Sequence, residues 1–232
     1  ILVLEKEASI YNLPRAVHFD DEVMRVFNTI GITKSLTKKL IINKGTKFVD
    51  EKGNLLLDWP RPKVITENGW YPSYRFHQPD LERSLRHKLK KFEKVIISQN
   101  SEVYKTISHK NYSIIQYKNL KTKQIFSVKS KYVIGCDGAN SFLRKQIKSE
   151  MEHLGFEQRW AVIDLILKTK KTNLPDRTIQ YCNSKRPATY CRNVGKRRRW
   201  EIALKEEESV ENFFDSKTLW KFLSQWVSQD EA

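Results

Sequence analysis

The chain has 232 residues, 39% of them hydrophobic and 30% charged, which is enough apolar material for one large domain or two interleaved smaller ones and too much for a disordered tail. No apolar run approaches the roughly 20 residues of a membrane-spanning helix, and the opening "ILVLEKEA" lacks the basic flank and small-residue cleavage site of a signal peptide, so a cytoplasmic protein is expected. Forty-three Lys and Arg against 27 Asp and Glu give a net charge of +16, which alone suggests nucleic acid or an anionic membrane surface as partner.

"ILVLEKE" reads as a buried strand ending in an acidic residue, and its apolar run Ile1–Leu4 looks like the middle of a strand and opens without Met, as expected of an internal piece of a longer protein. After the loop "ASIYNLPRAVHF", "DDEVMRVFNTIGI" is a helix with an Asp cap and with Val23, Phe27 and Ile30 on one face. From Lys38 to Trp59 the pattern turns to strands around the turn "DEKGN". "QPDLERSLRHKLKKF" is then a helix with Pro79 at its first position and Leu81, Leu85, Leu89 and Phe92 at four-residue steps. The strand "KVIIS" leads into three runs near residues 102–108, 112–118 and 124–129 that suit a β-meander. Tyr132, Val133 and Ile134 read as a short buried strand, with Asp137 and Gly138 at its carboxyl end and a helix over Ser141–Ile147 behind them. Beyond residue 149, "AVIDLILK", "RTIQYC", "PATYCRN" and "RRRWEIALK" predict an antiparallel sheet, and "TLWKFLSQWV" a helix with Leu219, Phe222, Leu223 and Trp226 on one face.

The positive charge is scattered over helical faces and loops such as "RHKLKKFEK" and "KTKKTN", and its one dense cluster, Lys196–Arg199, runs into a strand, so a solvated surface accounts for most of it. Cys136, Cys182 and Cys191 are an odd number with no C-x-x-C spacing, which predicts three reduced core thiols and neither a disulfide framework nor a zinc site. There are 8 glycines, where average usage would give roughly 16, and none falls in a G-x-G-x-x-G pattern. In an open α/β sheet an Asp-Gly at a strand's carboxyl end is placed to meet a nucleotide; alone, it reads equally as a turn with a solvated Asp.

Taken together, "LVLEKE", "LPRAVHFDDEVMRVF", "GWYPSYRFHQPDLERSLR", "VIGCDGANSFLR" and the block from "EQRWAVIDLIL" to "IQYCNSKRPATYCRNVGKRRRWEIAL" resemble the FAD-dependent aromatic hydroxylases, class A flavoprotein monooxygenases, and most of all their 3-(3-hydroxyphenyl)propionate hydroxylase group. Family members carry a G-x-G-x-x-G turn just before the strand matching "ILVLEKE" and a later Gly-Asp motif, and the 232 residues contain neither in those places. The resemblance implies a mixed α/β (α+β) fold, a partial Rossmann-like FAD-binding domain over residues 1–150 interrupted by a β insertion at about 36–73. That insertion joins an antiparallel substrate-binding domain over residues 151–232. It further implies FAD as cofactor, NADH or NADPH as co-substrate, and a small phenolic substrate hydroxylated with dioxygen, with no specific nucleic acid and no membrane span.

By the same resemblance Glu5 accepts hydrogen bonds from the adenosine ribose, against a surface Glu at a strand end. Arg15 lies over the cofactor, against a loop arginine in water. Gln78 touches the ribityl side of the flavin, against or alongside an N-cap role. Asp137 and Gly138 hold the ribose and pyrophosphate region, and Arg144 fixes their turn. Trp200, Tyr181 and Tyr190 suit either an aromatic pocket or a packed sheet core, and no residue is assigned a catalytic role. A non-hydroxylating flavoprotein and a basic nucleic-acid-binding module are the alternatives.

Overall fold

Strand formation depends on whether an extended segment finds a ladder partner, and the chain finds its partners within two compact units, residues 1–11 with 86–156 and residues 12–85 with 157–232. The computed structural model describes residues 1–147, 149–169 and 173–232; positions 170–172 of the basic "KTKKTN" stretch lie outside them.

In the first unit β1 (Leu2–Leu4) runs parallel to β7 (Ile96–Ser98), with Leu2 opposite Ile96 and Leu4 opposite Ser98. The ladder continues to Glu5, whose N–H donates to the Ser98 carbonyl at 2.9 Å. The expected meander follows as β8 (Ser101–Ser108), β9 (Ser113–Asn119) and β10 (Ile125–Ser130), all antiparallel in the order β10-β9-β8. Asn119 closes its last turn by accepting from the amides of Lys121 and Thr122, which lets Lys123 take a left-handed φ of 64°.

Two expectations for this unit fail. Tyr132–Ile134 form no strand, and Tyr132 and Ile134 are 81% and 82% exposed. Leu2 and Val3 of β1 are also exposed. The reason is common to both: an apolar run becomes a buried strand only when neighbours occupy its edges and faces. Among the described residues nothing pairs with 132–134, and β1 is bonded along one edge only.

The second unit holds two sheets. β2 (His18–Asp20), β6 (Ser73–Arg75) and β3 (Ile41–Ile42) make a three-stranded antiparallel sheet in the order β2-β6-β3. Helix α1 (Asp21–Thr29) is capped by the Asp20 carboxylate, which accepts from the Val23 amide at 3.0 Å. With α2 (Thr33–Leu36) it encloses Phe19, Met24, Ile32, Leu36, Tyr74 and Phe76. The buried residue of α1 is Met24; Val23 and Ile30, expected inward, are exposed because the helix turns a narrower face to the sheet than its apolar pattern offers. Helix α3 (Gln78–Leu89) packs Leu81 and Leu85 against this cluster, while Phe92 lies past its end and is exposed.

The larger sheet has the order β11-β14-β13-β12-β4-β5. It comprises β4 (Gly45–Val49), β5 (Leu55–Pro60), β11 (Trp160–Ile166), β12 (Thr178–Tyr181), β13 (Ala188–Arg192) and β14 (Arg197–Ala203). The four strands beyond residue 149 are antiparallel as expected, but β12 joins β4 in parallel, so the sheet is mixed. Gly45 has φ +104°, and a Cβ there would stand 2.2 Å from the Trp59 carbonyl oxygen, so the start of β4 admits only glycine. One sheet face packs Ile163, Ile179, Tyr190, Trp200 and Ile202 against Leu223 of α6 (Ser216–Leu223) and Val227, with Phe213 of α5 (Val210–Phe213) beside them. Trp200 and Tyr190 are therefore core residues here, 0% and 1% exposed.

Within the basic cluster Arg198 and Arg199 are buried, because the period of β14 turns one to each covered face of the sheet, while Lys196 and Arg197 are half-buried. Of the cysteines, all three are free thiols but only Cys191, within β13, is in the core; Cys136 follows the unpaired 132–134 run and Cys182 follows the end of β12, and both are exposed.

Candidate functional site

Residues 12–17, "NLPRAV", run in an irregular path, so their backbone groups must be satisfied from outside. Gln78, opening α3, does part of this: its Oε1 accepts from the Arg15 amide at 2.7 Å and the Ala16 amide at 3.0 Å. An oxygen held by two N–H donors fixes the orientation of the side-chain amide. Nε2 makes no hydrogen bond among the described residues. The carbonyls of Pro14 and Arg15 are satisfied by Arg199, whose Nη1 donates to the Arg15 carbonyl at 2.8 Å and whose Nη2 donates to that of Pro14. The Arg15 side chain itself is exposed.

Behind this loop lies a charged layer on the sheet face opposite Trp200. Asp164 stands directly across from Arg199 in the β11–β14 register and takes its guanidinium in a two-pronged pair, Nε to Oδ1 at 3.0 Å and Nη2 to Oδ2 at 2.9 Å. Burial pushes the Glu201 carboxyl up while the nearby Arg199 pulls it the other way. Arg75 of β6 is also buried, and burial lowers its pKa; its acceptors are neutral, Asn43 Oδ1 at 2.8 and 3.1 Å, Thr178 Oγ1 at 2.6 Å and the Arg192 carbonyl. It ties β6 to β12 and β13. None of Arg199, Asp164 or Arg75 is singled out by sequence pattern; the one cue is a lone Asp in the apolar "AVIDLILK", whose partner only the β11–β14 register identifies.

In the first unit the Asp137 carboxylate is turned toward the start of α4 (Phe142–Gln146), accepting from Ser141 Oγ at 2.5 Å and the Leu143 amide at 3.0 Å. Slight burial opposes ionisation there, and these hydrogen bonds outweigh it, so its pKa is lowered. Ser141 in turn caps the helix, its Oγ accepting from the Arg144 amide at 3.0 Å, and Arg144 Nη2 donates to the Ala139 carbonyl at 2.5 Å. Gly138 has φ +81° with open space where a Cβ would stand, so a ligand can approach its backbone. Glu5 accepts from the Glu7 amide at 2.9 Å through Oε1. The structure thus groups Asp137, Gly138 and Arg144 in one turn and Arg15 with Gln78 in another.

Taken turn by turn, a carboxylate suits hydroxyl donors, a guanidinium suits phosphate, and a side-chain amide N–H suits a carbonyl or hydroxyl oxygen. Among the described residues no group of three or more His, Cys, Asp or Glu could hold a metal, and no helix is long and apolar enough to cross a membrane.

The fold is that of the FAD-dependent monooxygenases. Over its whole length the chain superposes on 57% of p-nitrophenol 4-monooxygenase from Pseudomonas putida DLL-E4, with a TM-score of 0.85 at 15% identity. It likewise matches 46% of aklavinone-11 hydroxylase, solved with FAD and aklavinone, with a TM-score of 0.80 at 12% identity. The chain belongs to the FAD binding domain family, whose pattern matches residues 1–225. Relatives include a probable NADH-specific resorcinol 4-hydroxylase of Rhodococcus jostii, 27% identical over all of this chain and 43% of its own length. Another is a 3-(3-hydroxy-phenyl)propionate/3-hydroxycinnamic acid hydroxylase of Burkholderia cenocepacia, 26% identical over 97% of this chain and 41% of its own length. The chain spans about two-fifths of the length of the curated relatives it matches.

Proposed function

We propose that the protein is an FAD-dependent monooxygenase that hydroxylates a small phenolic compound, using NADH or NADPH and dioxygen, in the cytoplasm. The observation that carries this reading is the family match from residue 1 to 225, with hydroxylases of phenolic compounds among the relatives. When bound, FAD supplies the redox and oxygen chemistry, which amino-acid side chains lack. The chain's own residues bind and orient. Glu5 accepts from ribose hydroxyls, the Gly138 backbone admits the pyrophosphate region beside the turn that Asp137 and Arg144 shape, Arg15 lies over the cofactor, and Gln78 Nε2 donates to its ribityl side. In this reading residues 1–150 belong to the FAD-binding domain apart from the insertion at about 36–73, which with residues 151–232 forms the substrate domain. The sheet positions the phenolic ring and keeps water from it.

The competing reading as a nucleic-acid-binding module rests on net charge, and the densest basic cluster contributes Arg198 and Arg199 to the interior, where no phosphate reaches them. The test uses the protein as encoded by its gene, purified in the presence of FAD. Bound flavin is expected, with NADH or NADPH oxidation several-fold faster when a dihydric phenol or a hydroxyphenyl carboxylic acid is added, and a product one oxygen atom heavier. Absence of flavin together with salt-resistant DNA binding would overturn the proposal.

A further inference from the structure

We propose that Arg199, aligned by Asp164, is a positioning residue that fixes the backbone of the Arg15 loop and so governs cofactor affinity without touching the cofactor. The inference rests on the reading above that Arg15 meets FAD.

The geometry is that of a clamp closed from two sides. Arg199 is 2% exposed and lies in the middle of β14, so its guanidinium cannot swing away. The two-pronged pair with Asp164 sets the plane of the fork. With that plane set, Nη1 and Nη2 face two consecutive carbonyls, those of Arg15 and Pro14. From the other side Gln78 Oε1 holds the two consecutive amides of Arg15 and Ala16. Both peptide units flanking the Arg15 Cα are therefore bonded through their donors and acceptors to side chains. Glu201, 3.8 Å from Arg199 Nη1, is a second carboxylate and does not supply the alignment. The two-pronged pair with Asp164 already meets the charge of the buried Arg199. Spending its remaining N–H groups on an irregular loop is an addition that ion pairing does not require. Lysine could keep the charge but not the fork, since its ammonium presents no coplanar pair of donors.

The test measures FAD dissociation constants by flavin fluorescence for the protein as encoded and for Arg15→Ala, Arg199→Lys, Asp164→Asn and the double variant Arg15→Ala/Arg199→Lys. Circular dichroism and thermal midpoint are recorded alongside. Arg15→Ala and Arg199→Lys are each expected to weaken FAD binding about tenfold, and the double variant no more than either alone, because both act through one contact. Asp164→Asn, the milder change, should weaken binding in the same direction and speed hydrogen exchange at the Arg15 and Ala16 amides. Unchanged FAD affinity in a folded Arg199→Lys protein, or losses that simply add in the double variant, overturns the positioning role while leaving the cofactor reading in place. If Arg199→Lys does not fold, Asp164→Asn decides by the same criteria. An Arg15→Ala protein that binds FAD like the parent overturns both the role of Arg15 and the inference built on it.

Discussion

Arg186 and Glu208 make a second two-pronged pair, Nη1 to Oε2 at 2.9 Å and Nη2 to Oε1 at 2.6 Å, which ties the turn between β12 and β13 to the segment after β14. Glu208 also accepts from the Lys205 amide at 2.9 Å, and the guanidinium lies 4.6 Å from the centre of the Phe222 ring on α6. The hydrogen bonds from Arg186 pull the Glu208 carboxyl down to about 2 from an ordinary 4.5. At 1.36 kcal/mol per unit this bounds the stabilisation at about 3 kcal/mol. The two side chains remain 19% and 23% exposed, and screening by water brings the expectation to about 1–2 kcal/mol. The folded pKa is depressed, so the ionised form favours the native state. The contribution is complete above about pH 4.5 and is lost as pH falls toward about 2. Glu208→Gln keeps the shape and one acceptor but removes the charge. All six tryptophans lie in the second unit, so urea unfolding followed by their fluorescence reports this unit. Wild type should exceed Glu208→Gln by about 1–2 kcal/mol at neutral pH, and the gap should close between about pH 4.5 and 2. A gap as wide at pH 3 as at pH 7, or none at pH 7, would refute the reasoning.

Leu223→Ala removes a fully buried side chain from between α6 and the six-stranded sheet and should cost about 2–5 kcal/mol in the same denaturation assay. With a thiol-specific reagent at mildly alkaline pH, Cys136 and Cys182 should react at once, whereas Cys191, whose thiol burial pushes up to about 11, should react only after denaturation. Asp137→Ala takes away the acceptor for Ser141 Oγ and the Leu143 amide; it should cost about 1 kcal/mol and raise the FAD dissociation constant of the protein as encoded by about tenfold, and an unchanged constant would remove Asp137 from the cofactor site.

Local pattern was sufficient wherever an element's partner lies nearby in sequence. The meander of β8, β9 and β10 needs only its own turns, and α3 shows its face in Leu81 and Leu85. Pattern failed where burial depends on distant partners. Tyr132–Ile134 have the composition of a buried strand and no ladder, and Val23 and Ile30 have the helical spacing of a core face while Met24 is the residue that reaches the core. The basic run before Trp200 reads as a strand, and which of its arginines turn inward is settled by the sheet around it. Gln78 and Arg15 are expected at the cofactor from sequence, and the structure brings the two together. Their mutual bonding, and the arginine behind it, could be found only once β14 and the 12–17 loop were seen in contact.

The parallel pairing of β4 with β12 sets an order of events during synthesis. β4 and β5 leave the ribosome as a hairpin whose inner edge has no partner until β12 is made more than a hundred residues later. At about 5–20 residues per second that interval lasts roughly 6 to 26 seconds. Through it, Leu55, Leu56, Leu57 and Trp59 of β5, exposed even in the finished fold, extend an apolar surface that offers a template for mispairing. Residues 86–156, belonging to the other unit, emerge and can fold within the same interval. The sheet that β4 and β12 share thus closes only after residues 86–156 of the other unit have been made.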